Sequence, residues 1–121
     1  MGVRDYAKKW VQANNQSEHI ENFKSSKYFP EKDIWFITPP ISYFDLNKPG
    51  NIHILLQREN DMEKFIHLKI PYSFFRNNCS KFDIRSDGSR FDLHISAKQR
   101  NFLECERGND INFRKFEVQH C

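Results

Sequence analysis

The chain has 121 residues, a hydrophobic share of 38% and a net charge of +3. That length suits one domain, 1–121, with one core. The small positive excess permits a nucleic-acid partner without demanding one. Three scattered cysteines, Cys79, Cys105 and Cys121, form no C-x-x-C pair and no even-numbered framework, which argues against a zinc or disulfide scaffold. Reduced thiols, no cofactor and no bound metal are therefore expected. The first residues lack an apolar leader and no run is long enough to span a bilayer. The expectation is a cytoplasmic chain with no membrane partner. Abundant Asn, Lys, Ile and Phe with scarce Ala match AT-rich codons and suggest an AT-rich bacterium, or a phage or mobile-element origin. Twelve phenylalanines predict an aromatic-rich core.

Val3, Tyr6, Ala7, Trp10 and Val11 recur at helical spacing, so the first segment reads as an amphipathic helix. Ala13 to Ser17 breaks it. A short second helix is expected over Glu18 to Lys24, with Ile20 and Phe23 inward. Pro30 ends this helical part, residues 1–29.

From Asp33 the pattern changes to strands, over 33–118. "DIWFIT" is the first, stopped by Pro39-Pro40. Asp45 to Asn51 reads as a loop. "NIHILLQR" and "KFIHLKI" flank "ENDME" as a hairpin. Pro71 opens a helical turn, "PYSFFRNN", with Phe74 or Phe75 inward. "KFDIRSDGSRFDLHISA" is a second hairpin, and Asp87-Gly88 is a favoured type I′ turn pair. "NFLECER" reads as a further strand, "GND" as a turn, and "INFRKFEV" as a last strand or docked tail. The order gives an α+β fold. One or two N-terminal helices pack on one face of a mostly antiparallel five- or six-stranded sheet.

Alternation then assigns faces. In the second hairpin Asp83 lies opposite Asp92, Arg85 opposite Arg90, and Lys81 opposite His94, while Phe82, Ile84, Phe91, Leu93 and Ile95 point inward. In the first hairpin Ile52, Ile54 and Leu56 share a face with Ile66, Leu68 and Ile70. His53, Gln57, Glu63, His67 and Lys69 share the other, with Leu55 and Phe65. His53 faces either His67 or Lys69, depending on register. The helix, through Tyr6, Trp10 and Val11, is expected on the Ile54–Leu68 face, leaving both polar faces open on one side.

That open side is the candidate site. Its binding residues are Phe65, Lys69, Lys81, Asp83, Arg85, Arg90, Asp92 and His94. Phe65 would stack on a base, and the cations would meet phosphates. The expected function is a small binding module whose partner is a protein or a nucleic acid, in an undetermined oligomeric state. The alternative is a metal-independent nuclease using His53, His67 and His94 with nearby cations. A solvated sheet face is the plainer account of those histidines. Other chemistries lack their signatures. No acid is followed two residues later by Lys, the glycines are not clustered, and His94-Ile95-Ser96 is a single His-x-Ser where two-histidine phosphoesterases use two.

Overall fold

A computed structural model describes residues 2–14, 23–45, 50–98 and 111–118. The first helix forms where the spacing predicts it, as α1, Val3–Asn14. The expected second helix does not survive at its C-terminal end. Phe23 and Lys24 belong to a strand, β1, Phe23–Ser26, and the rest of that segment lies outside the described residues. Local helical spacing lost to a long-range contact, because β1 lies parallel to the much later strand β4, Asn51–Arg58.

The described strands form two sheets. In the first, β1 pairs with β4, β4 with β5, Asp61–Pro71, and β5 with the short β8, Glu117–Val118. All but the β1–β4 pair are antiparallel. In the second, β2, Tyr28–Phe29, pairs with β3, Ile34–Ile37, then β7, Phe91–Ser96, then β6, Asp83–Ile84. The chain passes from one sheet to the other at Lys27. Ser26 pins this corner: its Oγ accepts the Phe36 N–H at 3.0 Å. The α+β class holds, with two sheets in place of one.

The core lies between the sheets. Ile52, Ile54, Leu56, Ile66, Leu68 and Ile70 of the first sheet pack with Trp35, Ile37, Phe91, Leu93 and Ile95 of the second. The helix therefore cannot sit on that aliphatic face. It covers the opposite one, where Ala7 and Val11 bury against Leu55 and Phe65, with Tyr6, Trp10 and Phe23 at the margin. β4 is consequently buried on both faces from Ile52 to Gln57.

In the first hairpin His53 pairs with Lys69, and a bulge after Gln57 makes Arg58 pair with Asp61. α2, Tyr72–Asn77, follows Pro71 as expected and buries Phe75 fully, with Phe74 packed beside it. In the second hairpin Asp83 pairs with Asp92 and Ile84 with Phe91. Three details differ from expectation. A type I′ turn needs positive φ at both central residues, and of the pair only Gly88 has it, at 72°. The loop is instead closed by Arg85 N–H to Arg90 O at 2.9 Å, and Asp87 caps it by accepting from Ser89. Ile84 is also half exposed, because β6 is a two-residue edge strand at the rim of the core. Lys81 is not in the ladder opposite His94. It ends a single 3-10 turn, Cys79–Lys81, and His94 pairs with Phe36 of β3.

The segment "NFLECER" and the turn after it lie outside the described residues, as do Cys105 and Cys121. Cys79 is an exposed thiol. The tail from Ile111 docks into the core through Ile111 and Phe113 before β8 closes the first sheet. Among the described residues no helix is long and apolar enough to cross a membrane.

Candidate binding cleft

Two layers of sheet separate the polar faces that were expected to be one. His53, His67 and Lys69 lie on the helix side of the first sheet. Asp92 and His94 lie on the outer face of the second, because Phe91, Leu93 and Ile95 alternate with them into the core. The expected site residues are thus not brought together.

On the helix side, Phe65, His53 and His67 are all buried. His53 Nδ1 and His67 Nε2 share a hydrogen bond of 2.8 Å, and the Trp10 ring meets His67 edge-on at 5.9 Å. One ring nitrogen must donate and the other accept. The pair is therefore a satisfied polar joint beneath α1. Phe65 is buried and packs edge-on to Trp10, which leaves little of its ring for a base to stack on.

On the second sheet, Arg85 forms an ion pair with Asp92 at 2.8 Å. The same bond raises the Arg85 pKa further. These two charges satisfy each other at the surface. His94 stacks on Phe36 with ring centres 4.6 Å apart. Lys81 lines a separate hollow near the docked tail, with Arg114, Lys115 and Phe74. There the Lys115 ammonium already rests over the Phe74 and Phe116 rings.

Arg90 behaves differently. It donates to the Thr38 carbonyl at 2.7 Å, which aims it along the edge between the sheets. On the facing edge is β1. Lys24 pairs with Ile54 and so shares the core-side face of the first sheet. Its ammonium lies at the open rim of the inter-sheet space. Burial first, then the positive charges of Arg90 and Arg4, hold the Lys24 pKa below its ordinary value. Arg4 reaches over from α1. It donates to the Phe23 carbonyl at 3.1 Å, with its guanidinium 4.5 Å above the Phe23 ring.

Two hollows meet at Lys24. The smaller, about 250 Å³, runs between Lys24 and Arg90 past Ser25, Phe36 and Thr38. The larger, about 630 Å³, is bounded by Arg4, Lys24, Tyr43, Asn51 and Tyr72. Among the described residues no carboxylate lines either hollow. Three cations thus surround a cleft with aromatic walls. Of these residues, sequence reasoning named Arg90 alone. Arg4 sits on an exposed helix flank, and the residues around Lys24 read as the end of a helix although they form a strand. A four-residue parallel strand leaves no signal in local alternation.

Tyr43 forms one wall. Its ring packs on Phe75 and Phe91, with centres 5.8 and 6.3 Å away. Burial first, then the neighbouring Tyr72, pushes its pKa up to about 12, with Arg90 pulling the other way. Tyr28 is also raised to about 12, chiefly by its hydrogen bond to Asp33. An alkaline titration of tyrosinate absorbance should therefore show two late groups. The protonated phenol is favoured in the fold, so the contribution of Tyr43 is complete below the ordinary value near 10 and is lost as pH rises towards about 12. Tyr43→Phe should delete one late group; loss of an ordinary group near 10 with both late groups kept would place Tyr43 in solvent.

No protein-family model, curated protein or solved structure matches this chain.

Proposed function

We propose that this chain is a non-catalytic binding module that holds a nucleic acid in the cleft between its sheets. The observation that carries the reading is the convergence of Arg4, Lys24 and Arg90 on a concave surface with no lining carboxylate among the described residues. Like charges held together cost energy, and a polyanion relieves that cost. A merely solvated surface has no reason to set two guanidinium groups around a partly buried ammonium.

The nuclease reading asks histidines to converge with cations at a reacting phosphate. His53 and His67 instead bond each other under α1, and His94 lies on the other sheet. That arrangement supports the binding reading better.

The test is fluorescence anisotropy with a short labelled single-stranded oligonucleotide. Lys24→Glu with Arg90→Glu should weaken binding by about a hundredfold, since each reversal places like charge against phosphate. Each lost phosphate contact should also flatten the salt dependence by about 0.7 in logarithmic slope. Arg85→Glu changes net charge by as much as either single reversal, yet Arg85 is already neutralised by Asp92. It should leave affinity nearly intact. Equal losses from Arg85→Glu and Arg90→Glu would mean that net charge, not the cleft, governs binding.

A further inference from the structure

We infer that the cleft is specific for single strands, with a phosphate held between Lys24 and Arg90 and an unstacked base lodged beside Tyr43 and Tyr72. This rests on the nucleic-acid reading above and adds the form of the ligand.

The two hollows differ in chemistry. The smaller one has Lys24 and Arg90 with the Ser25 and Thr38 segments between them. That is a lining for phosphate oxygens, which accept from cations. The larger one falls within the range of ligand pockets, about 300–1,000 Å³. Two phenol rings and the Asn51 amide bound it. Rings supply stacking surface, and an amide both donates and accepts, as a base edge requires. Because Lys24 borders both hollows, a strand can place its phosphate in one and its base in the next. A base paired within a duplex is stacked on its neighbours and cannot enter.

The rings are held in place before any ligand arrives. Tyr43 is backed by Phe75 and Phe91. Tyr72 is seated against Gly50, where an added Cβ would lie 2.7 Å from its Cε2 carbon. Gly50 has φ of 140°, a conformation that favours glycine. The Tyr72 N–H also donates to the Gly50 carbonyl at 3.1 Å. Ring surfaces fixed this way lose little freedom when a base stacks on them. Gly50 is thus a positioning residue for Tyr72.

The experiment compares four labelled ligands on the wild-type protein: a short RNA strand, the same sequence in DNA, its duplex, and an abasic strand with equal phosphates. Both base-bearing strands should bind, and the abasic strand should be at least about fivefold weaker, the lower end of one stacking contact. The duplex should also be weaker than either strand. Gly50→Ala and Tyr43→Leu should lower affinity for base-bearing strands more than for the abasic strand. Either sugar satisfies the inference, and a preference for RNA would place the 2′-hydroxyl against the cleft. Abasic or duplex ligands binding as tightly as the base-bearing strands would overturn the single-strand inference while the nucleic-acid reading stands. Binding of none of the four would overturn both. These comparisons use the wild-type protein, so they decide the matter even if a variant fails to fold.

Discussion

Trp35→Ala should lower unfolding stability by about 4–5 kcal/mol, near the top of the range for deleting a buried aromatic side chain. Trp35 is fully buried and belongs to the cluster between the two sheets. Its indole N–H also donates to the Gln57 carbonyl at 2.8 Å, which ties β3 of one sheet to β4 of the other. Truncation would remove the packing and leave that buried carbonyl without this donor, at a further cost of about 1–3 kcal/mol where no water replaces it. Trp35→Phe separates the two effects. It keeps most of the ring volume and loses the N–H, so it should cost clearly less than Trp35→Ala. Small domains have only about 5–15 kcal/mol in total, so the alanine variant should show a sharply lower denaturation midpoint in urea. An unchanged midpoint would show that the sheets do not meet through Trp35.

His67→Ala should destabilise by about 3 kcal/mol, and the loss should shrink when its partner is replaced as well. His53 and His67 are both buried and share a 2.8 Å hydrogen bond. Removing His67 leaves a cavity beneath Trp10 and withdraws that bond from the His53 ring. Removing one partner of a buried pair carries the whole desolvation penalty of the other, whereas replacing both with apolar groups can be nearly neutral. The double variant His53→Leu with His67→Leu should therefore be more stable than the sum of the two single leucine variants. Chemical denaturation of the four proteins measures the coupling directly. Additive losses would mean that the two rings do not act as a pair. Nucleic-acid binding by the double variant should persist, since the cleft lies along the β1 edge and not under α1.

The first helix and both hairpins were legible because each is local. Five apolar residues at helical spacing suffice to define α1. Strict alternation of Phe91, Leu93 and Ile95 with Asp92 and His94 places the outer face of β7 correctly. Ile52–Ile70 and Ile54–Leu68 pair on one face as expected. The adjacent apolar pairs Leu55-Leu56 and Phe65-Ile66 held a further message. Two neighbouring apolar residues in a strand cannot share a face, so such pairs mark a strand buried on both sides. Taken at full weight, they place a covering element over His53 and His67, and the histidines become structural.

The cleft was not legible, because none of its walls is local. Lys24 lies beside Ile54 through a parallel pair that spans some thirty residues of chain. Arg4 comes from the first turn of α1, and Arg90 from the mouth of a hairpin on the other sheet. The sequence by itself determined the α+β class, the apolar face of the helix, the strand alternation and which strands pair as hairpins, since these follow from backbone geometry and nearest neighbours. Only the tertiary structure decided which hydrophobic face meets which. A broad aliphatic sheet face buries more area against a second sheet than against one helix of twelve residues. That choice sent α1 to the histidine face and brought three distant cations together at the edge between the sheets.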